Sequence, residues 1–352
     1  MTNNIRTLGK RFLALCPGVY DYFKGRKVKA KLLAEANEKF ADPDFVMPPG
    51  ASREDYEAAL NKHLVSFREY MYSFEFWKKS EAERDAIISR EATHLLQFRL
   101  RLAFPDYDNP ALFWNKEKFL AEMQRLGLNH RRWLYSPDAT REQISELLHA
   151  TDCIIKKHDS ACGLGIYKTH HDNENEISEA IADCRIGKNV VEQCIDGYSE
   201  LQAFNPSSLN TLRIVTISHD DKSMVFRSGF RMGRINAIAD NTQAGGLYAT
   251  IDPITGIIPG EALDYTGKTY SAHPDSGKQI TGYQIPKWDL IIDTCNRAAI
   301  AIKGITIIGW DVCLTADGEV EFIEANHSPD FSGDKHHLLN SIEQITGKRF
   351  KA

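Results

Sequence analysis

The residues best placed to do chemistry lie late in the chain. Asp311, Glu324 and Asn326 sit in the stretch Gly309–Asn326, whose two apolar runs flank Asp317-Gly318. An Asp-Gly pair between runs rich in Ile, Val, Phe and Trp is a strong hairpin signal. A turn centred there sets Asp311 opposite Glu324 and Gly309 opposite Asn326, all on one face because strand side chains alternate. Like charges directly opposed across two strands repel, so a positive group is expected between the carboxylates. Two carboxylates and an amide oxygen, without Cys or His, favour a hard cation, and Mg²⁺ carried by the phosphates of a nucleotide fits best. The competing reading is a solvated acidic rim on an ordinary hairpin.

The rest of the chain must position that stretch. At 352 residues, two or three domains are expected, and 42% hydrophobic with 26% charged residues is an ordinary soluble composition. A net charge of −5 gives no global attraction to nucleic acid. The seven scattered cysteines, without a C-x-x-C pair, suit free thiols in a reducing cytosol. Phe12–Cys16 is too short an apolar run for a signal peptide and Pro17 follows at once, so a cytoplasmic protein is expected.

Residues 1 to about 104 read as helices throughout, with Ser52 as a helix start ahead of Glu54 and Asp55. Between Arg6 and Lys31 there are eight basic residues against one acid. This is either a solvated helix face or a peripheral membrane contact at residues 6–31. A helix is expected from Lys116 to Leu126, a strand over Asp152–Lys157, a helix over Ile177–Cys184 and a strand over Asn189–Cys194. From Leu212 onward the pattern predicts strands and tight turns, closed by a helix from about Asp334 to Thr346. Arg213 falls inside the apolar strand Leu212–Ile217, where an unpaired charge is costly, so an anionic partner is expected. With a turn centred on Asp220-Asp221, Arg231 faces away from Arg213 unless a bulge intervenes.

The strand ending in Lys156 runs into a loop holding Ser160, Gly163 and Gly165. Small residues let backbone N–H groups close on an anion, although the loop alone also reads as a plain turn. It is neither a Walker loop nor a dinucleotide fingerprint. The ordered set is more specific. Lys116 precedes Gly127 by eleven positions; Lys156 is followed by Gly165 nine positions on and Lys168 twelve on; Asp311 and Glu324 are thirteen apart, and Glu324-Ala325-Asn326 gives E-x-N. By this spacing, residues 112–330 resemble the ATP-grasp superfamily, with a nucleotide site like that of D-alanine–D-alanine ligase. Asn210–Arg213, Phe230–Gly233, Asp240-Asn241 with Gly245-Gly246, and Gly309–Asp311 resemble its sugar-transfer-associated members.

The resemblance implies an α+β ATP-grasp fold preceded by a mainly helical region, with boundaries expected at residues 1–110, 111–205 and 206–352. It implies a carboxylate–amine ligase using ATP and one or two Mg²⁺ ions, by way of an acyl phosphate, on small or carrier-linked substrates in surface-polysaccharide or related biosynthesis. Lys116, Lys156 and the loop with Ser160, Gly163 and Gly165 are then expected on phosphates. Glu192, with the backbone of Gln193 and Ile195, is expected at the adenine, Glu200 at the ribose, and Asp311, Glu324 and Asn326 at the metal. Arg213 and Arg231 are the candidates for the oxyanion. Two features depart from the ligase pattern: Gly309 stands where it has an arginine, and helices replace the usual first domain. A kinase on the same fold and a non-catalytic nucleotide-binding scaffold are the alternatives.

Overall fold

The computed structural model describes residues 17–104, 111–158, 165–242 and 245–350, with side chains from Lys24 on. Ser160, Gly163 and the basic residues before Pro17 lie outside the described residues. In chain order the first elements are α1 (Pro17–Phe40), α2 (Arg53–His63), α3 (Glu81–Asp85), β1 (Ile87–Ile88) and α4 (Arg90–Ala103). Then come α5 (Ala111–Trp114), α6 (Lys116–Arg125), β2 (Trp133–Tyr135), α7 (Arg141–Ala150), β3 (Cys153–Lys157), β4 (Ile166–Thr169), α8 (Glu174–Ile186), β5 (Asn189–Gln193) and α9 (Ser199–Gln202). The last part holds β6 (Leu212–His219), β7 (Lys222–Met232), β8 (Leu247–Ile251), β9 (Ala262–Leu263), β10 (Thr269–Tyr270), α10 (Trp288–Ala301), β11 (Ile307–Leu314), β12 (Val320–Asn326), β13 (Gly333–Asp334) and α11 (Lys335–Thr346). Among the described residues, no helix is long and apolar enough to cross a membrane.

The chain forms two compact units. One comprises residues 1–108, 304–307 and 328–352. Its core is aromatic: Phe40, Tyr56, Phe67 and Tyr70 meet edge to face, with ring centroids 5.3–5.4 Å apart for Phe40–Phe67, Tyr56–Phe67 and Tyr56–Tyr70. Ser52 caps α2 by accepting from the Asp55 N–H, and Ser80 with Glu83 forms a full capping box on α3. Arg84 grips Asp55 with both Nη atoms, at 2.7 and 2.8 Å. The expectation of helices alone is corrected in one place. Ile87-Ile88 pairs antiparallel with Gly333-Asp334, because a partner far along the chain supplies the ladder that a two-residue strand cannot make locally.

The second unit, residues 109–303 and 308–327, carries two antiparallel sheets. The four-stranded sheet runs β2-β5-β3-β4 and the seven-stranded sheet β10-β9-β8-β7-β6-β11-β12. Helices α7 and α8 cover the smaller sheet through Ile144, Leu147, Leu148, Ile177 and Ala180, which meet Ile155 and Val191. Helix α10 packs on β6 and β7, burying Trp288, Ile291, Cys295 and Ala298. The sequence pattern had placed mainly strands and tight turns there, with no helix named before Asp334. Its N-cap, Lys287, is left-handed (φ 52°) and makes no side-chain cap, so the usual start signal is missing. Trp310 is fully buried beneath the sheet, its Nε1 donating to Thr216 Oγ1 at 2.8 Å.

Candidate active site

Two bulges decide which side chains meet. At the β11–β12 turn, the Gly318 N–H donates to Thr315 O and the Thr315 N–H to Glu319 O, each at 2.8 Å, with Gly318 left-handed at φ 80°. This is a three-residue loop closed by a glycine, so the first pairs are Leu314↔Val320 and Val312↔Phe322. That register is one residue off a turn centred on Asp317-Gly318. A bulge between Asp311 and Val312 then absorbs Ile323 and restores Asp311↔Glu324 and Gly309↔Asn326, the pairing expected from sequence. Because an extra residue reverses the alternation, Glu321, opposite Cys313, joins the same face. Asn129 supports the bulge from outside, exchanging two 2.8 Å hydrogen bonds with the Phe322 backbone.

The second bulge lies between β6 and β7, where the register shifts after Val215 and leaves Phe226 unpaired. Arg213 stands opposite Gly229, so Arg231 shares its face. Both arginines close on Asp311. Arg213 Nε lies 2.7 Å from Oδ1 and its Nη2 donates to Oδ2 at 3.1 Å, while Arg231 Nη1 reaches Oδ2 at 2.9 Å. Burial alone would raise the Asp311 carboxyl, but the two guanidiniums outweigh it and hold it below the usual carboxylate range. Oδ1 is buried and ion-paired with Arg213 Nε, which does not point an N–H squarely at it, and the Glu324 carboxyl lies within hydrogen-bond reach of this carboxylate. Glu324 is solvent-exposed at the mouth of this crowded cleft. Desolvation by the surrounding protein, then the Asp311 charge, push it up to about 7. Two opposed carboxylates, one of which resists ionisation beside the other, are a fitting donor set for a divalent cation. Gly229 makes the arrangement possible: a Cβ there would lie 2.2 Å from the Tyr248 ring, which crosses it.

The four-stranded sheet supplies the lysines. Lys156 Nζ is 2.9 Å from Glu192 Oε1, and Arg131 holds Glu192 Oε2 with Nε and Nη2 at 3.0 and 2.9 Å. Lys116 Nζ donates to the carbonyls of Lys157 and His158 at 3.3 and 3.2 Å, which brings it to the strand end that carries Lys156. Lys168 is paired with Asp152 at 2.8 Å. Gly165 is left-handed, φ 69°, at the far end of the loop. The Gln193 N–H donates to Arg132 O at 2.9 Å, which leaves its carbonyl as the group that could meet a base. Ile195 is half-buried; Glu200 lies exposed on α9, and its carbonyl accepts from Lys278 Nζ at 2.6 Å. Lys278 also lies over the Phe204 and Tyr283 rings, at 4.8 and 5.1 Å. Asn326 is half-buried, and the next residue, His327, stacks on Trp114 with centroids 5.3 Å apart.

Comparison with known proteins matches residues 115–346, about two-thirds of the chain, to the family described as sugar-transfer associated ATP-grasp. The chain belongs to that family. Its fold is the ATP-grasp fold. No curated protein matches the sequence at significance. Among solved structures, the chain is similar to the ATP-grasp ligase PsnB complexed with a minimal precursor, at 18% identity over 69% of this chain and 63% of that one, with a TM-score of 0.40. It therefore spans somewhat less than two-thirds of that protein's length. It is also similar to D-alanyl-alanine synthetase A from Vibrio cholerae (16% identity, 72% and 68% of the two chains, TM-score 0.40). A third likeness is to N5-carboxyaminoimidazole synthetase from Staphylococcus aureus (13% identity, 68% and 52%, TM-score 0.42). The family match, not these distant likenesses, carries the assignment.

In this ATP-grasp chain the seven-stranded sheet presents Arg213, Arg231, Asp311 and Glu324 together, and the four-stranded sheet presents Lys156 and Glu192 with Lys116 nearby. Sequence reasoning missed Arg131 and Glu321, which are joined at 2.9 Å. They lie 190 positions apart, and no local pattern links them. Asp240, read in the sequence only as part of a resemblance and given no role, accepts from the Thr211 N–H at 2.7 Å beside Arg231. The Asp240-Asn241 dipeptide was the available signal.

Proposed function

We propose that the chain is an ATP-dependent carboxylate–amine ligase acting through an acyl phosphate. The observation that carries this reading is the convergence of two half-buried arginines on a buried carboxylate, opposite a second carboxylate. Lys156 and Lys116 would hold the triphosphate as point charges. Glu200 would accept from the ribose, and the Gln193 carbonyl would meet the adenine. A substrate carboxylate oxygen attacks the γ-phosphorus as the bond to ADP breaks; an amine nitrogen then attacks the acyl carbon, phosphate leaves with the bonding pair, and the nitrogen gives up its extra proton to the departing phosphate or to water. Asp311, Glu324 and Asn326 would hold Mg²⁺, which when bound neutralises charge on the phosphates. Arg213 and Arg231 are aimed where negative charge develops in both steps, and they fill the part that Gly309 leaves vacant. Their grip on Asp311 keeps them pre-positioned before substrate arrives.

The family description supports a substrate in surface-polysaccharide or related conjugate biosynthesis, and a cytoplasmic site of action follows from a need for ATP. The test is ADP release screened against uronic acids, amino acids and peptides, with hydroxylamine added. A carboxylate that drives ADP release should yield its hydroxamate. ADP release driven by a hydroxyl substrate, with no hydroxamate from any carboxylate, would replace the ligase with a kinase.

A further inference from the structure

Arg131 lies in the loop before β2, yet its side chain is only 3% exposed. One side of its guanidinium takes Glu192 Oε2, while Nη1 takes Glu321 Oε2 at 2.9 Å and the Phe322 carbonyl at 3.1 Å. Glu321 is satisfied on its other oxygen by the N–H groups of His130 and Arg131, both at 3.0 Å. Four charged side chains, Lys156, Glu192, Arg131 and Glu321, thus form one line from the small sheet to the metal hairpin, with side-chain exposures of 14, 5, 3 and 6%. Apolar residues of similar volume commonly stabilise such a place as well or better, so stability alone does not account for three buried charges and a half-buried fourth.

The order of charges suggests a different task. Lys156 alone with Glu192 would be a closed, neutral pair, and a phosphate would gain little from it. With Arg131 on the opposite oxygen, Glu192 is shared between two cations, so less of its negative charge is spent on Lys156, while Glu321 balances Arg131 on the side away from β3. Glu321, gripped by two backbone N–H groups, anchors Arg131 so that it cannot turn toward the phosphates itself. We infer that Arg131 is a positioning residue for nucleotide binding: it neutralises Glu192 from behind so that Lys156 remains a phosphate-binding cation. This rests on the reading of the site as one for MgATP.

The experiment measures MgATP affinity by calorimetry on the full-length chain. Wild type that fails to bind MgATP removes the nucleotide reading before any variant is compared. Given binding, Arg131→Met/Glu321→Gln, which deletes a balanced pair of charges, should weaken it about tenfold, since Glu192 is then left to Lys156 alone. Both Glu192 oxygens are engaged by Lys156 and Arg131 and not turned to a base, so adding Glu192→Gln to that double variant should restore affinity to within about threefold of wild type, because nothing then opposes Lys156. A structural staple would instead lose stability with each step and regain no affinity. Arg131→Lys keeps the charge behind Glu192 without the fork to Glu321, and should bind within about threefold of wild type even if the double variant does not fold. The inference is overturned if the folded double variant binds as wild type, if the triple variant is no better than the double, or if folded Arg131→Lys loses about tenfold.

Discussion

Replacing Glu324 with Gln should make the metal-free protein more stable at alkaline pH while removing its response to Mg²⁺. Glu324 opposes Asp311 across the hairpin and is pushed up to about 7 from the ordinary 4.5. A carboxyl raised in the folded state contributes stability that is fully present below about pH 4.5 and lost as pH climbs through about 7. In a dry site the rise would correspond to about 3 kcal/mol. Glu324 is in contact with water, and screening reduces this to about 1 kcal/mol. Glu324→Gln removes the titration at almost constant shape. Thermal unfolding in chelator should therefore show the variant about 2–4 °C above wild type at about pH 8.5 and level with it near pH 4.5. Millimolar Mg²⁺ with a non-hydrolysable ATP analogue should reverse the alkaline order, stabilising wild type and leaving the variant unmoved. If the variant is the less stable at pH 8.5 without metal, or if Mg²⁺ stabilises both equally, the opposed-carboxylate account fails.

Other outcomes follow from the same structure. Arg84 depresses the Asp55 carboxyl, first by its hydrogen bonds, so this pair contributes above pH 3.8 and its contribution fades as pH falls further. Asp55→Asn should cost about 1–2 kcal/mol near neutral pH and progressively less as pH falls below 3.8 through the depressed range, read by urea unfolding across pH. Gly229→Ala drives a Cβ to 2.2 Å from the Tyr248 ring and should cost about 1–3 kcal/mol. Adding Tyr248→Ala should recover most of that penalty in a double-mutant cycle, and independent penalties would show that the close approach is not the cause. Lys156→Met should raise the KM for MgATP by about tenfold with a smaller effect on kcat, measured by ADP release, since a point charge on phosphates acts mainly in ground-state binding.

The parts of the fold that were legible in the sequence are those encoded locally. Asp317-Gly318 marked the hairpin, and Lys116 to Gly127 marked a helix that runs Lys116–Arg125 with Gly127 left-handed at φ 67°. The acid pair at Asp311 and Glu324 was placed on one face by assuming a two-residue turn, and the three-residue loop and the bulge at Ile323 together give the same pairing. What stayed hidden depends on partners remote in sequence. The bulge at Ile323 is held by Asn129, almost two hundred positions earlier, and the bulge at Phe226 decides whether Arg231 faces Arg213. Neither carries a glycine or proline to announce it. Arg131 stands in the run His130-Arg131-Arg132, which carries no local signal, and only Glu192 on β5 and Glu321 on β12 reveal that it is buried between two acids. Helix α10 escaped because its first residue follows a left-handed lysine instead of a capping side chain.

The central claim is that Asp311 and Glu324 take a divalent ion together with a nucleoside triphosphate. Calorimetric titration of ATP into the full-length protein, with and without Mg²⁺, for wild type and for Asp311→Asn/Glu324→Gln, tests it most directly. Tight binding in wild type that depends on Mg²⁺, and its loss in the folded double variant, is the expected result. Equal affinity in the two proteins, or binding indifferent to Mg²⁺, would contradict it.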